Sequence, residues 1–424
     1  MEKIVRETFA KVGREITGPA LFDFVKWVLE EAVEKKIHTI YFLARDGYIL
    51  WKVAEQLTAA LELPIACKYL YCSRNSLRVP SYHLIGEEAF DLLSLGGYCV
   101  TPNSILERAN LSANQRDSVL KQISFSESLC TEPLSRVALN GFTQRLRRSS
   151  YFRESVIQNS KNAYPAAMGY LRQEGLFDGD QVAIVDSGWT GSMQRSLRQL
   201  LESGNYSGTI TGFYFGLYAS PKEIKDGNYQ AWYFSRQGKA LDKALFCNNL
   251  FECILSAPHG MTHSYKKEGE LYIPVLLPGP TAKQLETIEV QIDSILQGVK
   301  SYIESVDGKN IGSKRQRNHI RKQMHRFMAR PSLDEASVYG AFMFNDDVND
   351  SHHVEIASPE QIKKLDSYLV HKRLMRKLGS SPPIQELFWP YGVIAFLPKW
   401  KQAWYRWNVY AWELLKHQLT HLHF

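Results

Sequence analysis

The segment Gln181-Val182-Ala183-Ile184-Val185-Asp186-Ser187-Gly188-Trp189-Thr190-Gly191-Ser192 passes within twelve residues from apolar β-formers to an acid, two glycines and three hydroxyls. A short unbroken apolar run bounded by turn residues is the pattern of a strand buried on both faces. A strand is therefore expected over 181–185 and a tight turn at Gly188 and Gly191. A helix follows, carrying Met193, Leu197, Leu200 and Leu201 at helical spacing, and then a second strand from Thr209 to Tyr218.

Toward the N-terminus, residues 18–73 repeat the pattern as α-β-α-β. Pro19 suits a first helical turn. Leu21, Phe22, Phe24, Val25, Val28, Leu29, Ala32 and Val33 then recur with helical spacing. Ile40-Tyr41-Phe42-Leu43 is the buried strand, a helix carries Ile49, Leu50, Val53, Ala54 and Leu57, and a strand spans Lys68 to Ser73. Strand, helix, strand implies a parallel crossover. The expected fold is α/β, with a Rossmann-like, mostly parallel sheet. Residues 76–175, polar and helical, form an inserted subdomain. Beyond about 280 the chain turns helical and basic, with a hinge at Pro382-Pro383. The expected divisions are 1–280, 281–380 and 381–424.

The chain has 424 residues, 44% hydrophobic and 22% charged, and a net charge of +7. That is enough for a sizeable core. Its six cysteines (Cys67, Cys72, Cys99, Cys130, Cys247 and Cys253) include no C-x-x-C pair, which argues against a disulfide framework or zinc knuckle and fits a reducing cytosol. No apolar run approaches the roughly 18 residues of a membrane span, and the charged opening residues are not a secretory signal. Basic residues crowd 145–153, 314–330 and 363–377, either as anion-binding patches or as solvated helix faces. No aromatic-interleaved or helix-turn-helix pattern accompanies them, so nucleic acid is not an expected partner.

In parallel sheets, ligands bind beyond the carboxyl ends of the strands. Three such ends carry polar groups here: Arg45-Asp46, Ser73-Arg74 and Asp186-Ser187. Either aspartate alone would equally serve as a helix cap; three apolar strands that all release into charged or hydroxyl residues point to a shared pocket. Backbone N–H groups at the turn through Gly188, Thr190, Gly191 and Ser192 suit a phosphate. No lysine follows the glycines, so this is not a Walker loop. Glu252, set among apolar residues, is either a satisfied core carboxylate or a site residue, and His259 reads as a loop residue.

The Asp186 loop resembles the donor-binding loop of phosphoribosyltransferases, although those usually carry two adjacent acids. Four segments together (41–48, 69–74, 185–194 and 252–260) resemble the glycan phosphoribosyltransferases of bacterial polysaccharide gene clusters. The resemblance covers about 15–275. It implies phosphoribosyl pyrophosphate as donor, a surface-glycan acceptor that is lipid-linked, and Mg²⁺ as cofactor. It places Asp186 on the ribose hydroxyls, residues 188–192 on the 5-phosphate, and Arg45 and Arg74 on the pyrophosphate, where arginine binds in bidentate fashion. Asp46 is the first candidate for base and Glu252 the second, with Asp46 and Asp186 as magnesium ligands. Gly47, Ser73, Ser187, Trp189, Gln194 and His259 complete the expected donor site. Many members are fused to a haloacid-dehalogenase-type phosphatase. Its Asp-x-Asp-x-Thr motif is not found here, so a separate phosphatase would remove the 5-phosphate. Two alternatives stand beside this one: a phosphatase of that same type, or a non-catalytic nucleotide- or glycan-binding partner in polysaccharide assembly.

Five of the nine tryptophans (Trp389, Trp400, Trp404, Trp407 and Trp412) lie beyond Pro383, interleaved with Lys399, Lys401, Arg406 and Lys416. Aromatics mixed with cations suit a peripheral seat at the inner membrane interface; a helix packed on the core is the plain alternative.

Overall fold

The computed structural model describes residues 2–94, 100–219, 228–305, 314–344, 354–378 and 386–422. Its centre is a five-stranded, wholly parallel sheet of β1 (Thr39–Leu43), β2 (Ala66–Leu70), β3 (Gln181–Trp189), β4 (Thr209–Leu217) and β5 (Tyr229–Phe234), in the spatial order β2-β1-β3-β4-β5. Alternation along the strands explains why the sheet is covered on both faces. Ile40, Phe42, Ala183 and Val185 join one buried cluster, while Tyr41, Leu43, Val182 and Ile184 join another. Helices α1 (Gly18–Glu34) and α2 (Gly47–Ala60) cover the first face. The second is covered by α3 (Arg74–Ile85), α4 (Ser150–Gln173) and α5 (Ser192–Ser203).

Several boundaries differ from expectation. β2 ends at Leu70, because Ser73 leaves the sheet to cap α3, its side chain accepting the Ser76 N–H at 3.0 Å. β3 continues four residues past Val185, because Asp186, Gly188 and Trp189 still pair with Tyr214, Gly216 and Leu217 of β4. Gly188 is therefore a strand residue and not part of a turn. Its φ of 114° and the Gly216 carbonyl, which a Cβ would approach to 2.2 Å, both demand glycine there. The fifth strand and a hairpin of β6 (Thr262–Glu268) and β7 (Leu271–Leu276) are additions.

The inserted segment is helical over its described residues, with its own buried cluster running from Val79 to Val156. The boundary at 280, by contrast, does not divide the core. One buried cluster takes in Phe9, Phe42, Val185, Ile295 and Val299 of α6 (Ala282–Ser305), Phe327, Trp389 and Val409. The basic stretches are partly structural: Arg321 pairs with Asp242 at 2.6 Å and Arg326 grips Glu335 at 2.6 and 2.7 Å. The Pro382-Pro383 hinge and Cys99 lie outside the described residues; the other five cysteines are free thiols. Among the described residues no helix is long and apolar enough to cross a membrane.

The C-terminal tryptophans divide. Trp389 is wholly buried, donating its indole N–H to the Met328 carbonyl at 2.7 Å. Trp400, Trp404 and Trp407 lie exposed on α8 (Lys399–Leu422), which packs against α7 (Val370–Leu378). Trp389→Ala should therefore cost about 3–5 kcal/mol in urea-unfolding free energy. Trp404→Ala should stay within about 0.5 kcal/mol. Equal costs would contradict this division.

Candidate functional site

The strand order places β1 beside β3 although β2 lies between them in sequence. This is a topological switch point, where the chain leaves the two strands in opposite directions and opens a crevice at their carboxyl ends. Both loops singled out in the sequence emerge there. Since β1 stops pairing with β3 at Phe42–Val185, the last residues of β3 run on with their β1-side edge uncovered.

Asp46 and Asp186 meet in this crevice. The Ser187 hydroxyl donates to Asp46 Oδ2, so the loops are joined through a carboxylate. Burial holds the Asp46 carboxyl above its ordinary range, against the Ser187 hydrogen bond and the charges of Arg45 and Arg74. Burial, then repulsion by Asp46, raises Asp186 to about 8, opposed by the Ser187 and Gly188 N–H groups and by Arg74. Burial and the charge of Asp46 thus both favour the protonated form of Asp186.

Arg45 and Arg74 are exposed at the rim. Arg78, one helical turn beyond Arg74, was not foreseen. Burial lowers its guanidinium to about 10, with Tyr82 acting the other way and Arg74, Arg108 and Arg195 adding to the lowering. The i, i+4 spacing of Arg74 and Arg78 was the sequence signal for it. On the far side, Thr190 is exposed, Gly191 has a φ of 64°, and Ser192 opens α5, leaving first-turn N–H groups at the crevice.

Other expected donor contacts turn inward. Gln194 is fully buried: its amide donates to the Ile210 and Asn228 carbonyls, both at 2.9 Å, and accepts from Tyr214 Oη at 2.7 Å. It locks α5 to the sheet and does not face the crevice. Ser73 is buried too, its hydroxyl donating to the Thr262 carbonyl at 2.6 Å. With Asn75 Nδ2 donating to the His263 carbonyl at 3.1 Å, it ties the β2–α3 loop to the β6–β7 hairpin. Gly47 begins α2 against the β1 backbone at Phe42. Trp189 donates its indole N–H to Glu252 Oε1 at 2.6 Å, which positions the end of β3.

His259 donates from Nδ1 to the Gly260 carbonyl at 2.8 Å, so Nε2 is the acceptor for the Tyr69 hydroxyl, also at 2.8 Å. Burial lowers its pKa, Arg45 acts in the same direction, and the Gly260 contact opposes both. It is a neutral ring in a cluster with Tyr48, Tyr69 and Tyr71, not a phosphate-binding cation. Alternate tyrosines in Tyr69-Leu70-Tyr71 were the legible sign of this aromatic wall.

Among the described residues no three His, Cys, Asp or Glu side chains converge as a metal cage. Asp46 and Asp186 still fit Mg²⁺, which one or two carboxylates hold when substrate oxygens and water complete the shell. A cation there would relieve the repulsion that raises Asp186.

The fold and crevice define a doubly wound α/β protein with an acidic pair at its switch point. No protein-family model matches the chain, and no curated protein matches it.

Because Asp186 keeps a proton that the unfolded chain releases near pH 4, its contribution to stability is full below that pH and is lost as pH rises toward 8. Asp186→Asn should flatten this decline. Its melting temperature should gain on that of the parent protein between pH 5 and 8. Parallel pH profiles would show that Asp186 is an ordinary surface carboxylate.

Proposed function

We propose that this protein transfers a 5-phosphoribosyl group from phosphoribosyl pyrophosphate to a hydroxyl of a bacterial surface glycan, with Mg²⁺ as cofactor. The observation that supports this best is the composition of one crevice: the coupled pair Asp46 and Asp186, arginines at the rim and an uncapped helix start opposite. That set offers an acid for ribose hydroxyls, cations for a diphosphate and N–H groups for a phosphate monoester.

In the transfer, a bond forms between the acceptor oxygen and C1 of the ribose while the bond from C1 to the pyrophosphate oxygen breaks. The electron pair leaves with pyrophosphate, and the acceptor's proton passes to Asp46. A raised carboxyl is a better base than an ordinary one, and the Ser187 hydroxyl holds Asp46 in place. Asp186 holds the ribose hydroxyls, and Arg45 and Arg74 meet the diphosphate. Asp46 and Asp186 are the residues that would hold Mg²⁺, which would supply positive charge for the departing diphosphate. Glu252, bound to the indole of Trp189, orients the loop and is the secondary candidate for base.

The test supplies phosphoribosyl pyrophosphate, Mg²⁺ and a panel of lipid-linked and synthetic glycans, and follows pyrophosphate release and acceptor mass. The product should carry ribose 5-phosphate, with the phosphate left for a separate phosphatase. Asp186→Ala should lose about 2–4 kcal/mol of transition-state stabilisation, a thirtyfold to thousandfold drop, with its circular dichroism unchanged. A variant within tenfold of the parent, or release of inorganic phosphate from sugar phosphates in place of transfer, would sink the proposal.

A further inference from the structure

α8 carries apolar groups on the side turned away from the core. Trp400, Trp404 and Trp407 follow one another at intervals of four and three residues and so share one helix face. Their exposures are 77%, 58% and 58%, and the rings of Trp404 and Trp407 stack with centroids 6.1 Å apart. Ala411 and Leu414 continue the same line. The opposite side is the one that packs: Asn408 and Val409 are buried, and Asn408 Oδ1 accepts the Val370 N–H of α7 at 3.1 Å. α7 adds two more exposed apolar side chains, Met375 at 71% and Leu374 at 39%. Scattered single exposed apolar residues are ordinary, whereas five large ones on two packed helices are a concentration.

Charge decides what would cover it. From Asp366 to Glu413 the sequence has seven lysines and arginines and three acids, Asp366, Glu386 and Glu413. Each acid has a partner: Tyr405 donates to Asp366 at 2.6 Å, Arg373 pairs with Glu386 at 2.5 Å and Lys416 with Glu413 at 3.3 Å. Lys372, Lys399 and Lys401 are exposed, and the Lys401 ammonium lies 4.9 Å from the Trp400 ring centre. A second copy, related by a two-fold axis, would bring one cationic rim against another. A surface that accepts tryptophan rings at its boundary and cations in its outer layer is an anionic lipid leaflet.

We infer that the outer face of α7 and α8, formed by Trp400, Trp404, Trp407, Leu374 and Met375 and rimmed by Lys372, Lys399 and Lys401, docks the protein on anionic lipid. Trp389, in the core, and Trp412, half-buried beneath the Arg373 guanidinium, take no part. α8 lies in the plane of the leaflet without crossing it. The inference is independent of the chemistry at the crevice.

The test is cosedimentation of the full chain with phosphatidylcholine vesicles, with and without phosphatidylglycerol, supported by tryptophan fluorescence. The parent protein should partition onto the anionic vesicles with a blue-shifted emission. The triple variant W400Q/W404Q/W407Q, altered only at exposed positions, should keep the parent's circular dichroism and lose on the order of tenfold or more in partition. K372Q/K399Q/K401Q should lose about a hundredfold at low salt, at roughly one kcal/mol per cation, and little at high salt. A parent protein that stays in the supernatant with anionic vesicles overturns the inference. So does a tryptophan variant that binds as the parent does. A parent dimer that the tryptophan variant dissolves, with no binding to vesicles, would assign the face to a second copy.

Discussion

The parallel pairing of β1 with β3, Ile40 opposite Ala183 and Phe42 opposite Val185, is the constraint on which the rest of the architecture depends. It seats two strands with buried apolar runs side by side and brings Asp46 and Asp186, about 140 residues apart in sequence, to one edge. A slip of one residue would turn Phe42 to the face that now holds Tyr41 and Leu43, so both buried clusters fix the register. β2 then brings Arg74 to the rim from one side. β4 draws β3 out to Trp189 from the other, beyond the reach of β1. The crevice is the space left by strands of unequal length.

Two carboxyls in that crevice resist ionising together, and the same groups that would satisfy a ligand keep them tolerable without one. Arg45 and Arg74 supply positive charge to Asp46, and backbone N–H groups supply it to Asp186. The arrangement is compact because each support comes from a neighbour already fixed by packing: Ser187 follows Asp186 in β3, and Arg74 follows the capping Ser73. Preorganisation of this kind lowers the reorganisation needed when charge develops.

β1 and β3 were legible because each holds an apolar run that gives way to charged residues, Arg45-Asp46 in one case and Asp186 in the other. β5 was not, since Tyr229-Gln230-Ala231-Trp232 is only half-buried at the sheet edge and shows neither alternation nor an unbroken apolar run. The polar residues of the site divide by a feature that spacing does not carry, namely which way a side chain turns at the end of an element. Asp46, Asp186 and Thr190 face the crevice, whereas Ser73 and Gln194, equally polar and equally close in sequence, fasten loops to the hairpin and the sheet. His259 reads in the sequence as a loop residue of the donor site, yet the Tyr69 hydroxyl and the Gly260 carbonyl occupy both its nitrogens. The tryptophans past Pro383 gave a single compositional signal because composition does not separate Trp389, which plugs the core, from Trp404, which lies on it.

The helix Lys3–Val12 and the helical turn Gly13–Thr17 that leads into α1 rest on α6 at backbone contact. A Cβ on Gly13 would come within 2.4 Å of the Ser294 carbonyl oxygen, and one on Gly298 within 2.2 Å of the Gly13 carbonyl oxygen. The surface that these helices present to α6 is therefore bare until nearly three hundred residues have left the ribosome, and Val409 joins the same cluster later still. Translation delivers the sheet and the helices on its faces first, and the outer layer that covers the N-terminal helices last. The nascent chain must hold that helix surface uncovered for roughly ten seconds or more at ordinary elongation rates, which makes the early translation product a natural client for chaperones and a poor candidate for expression in fragments.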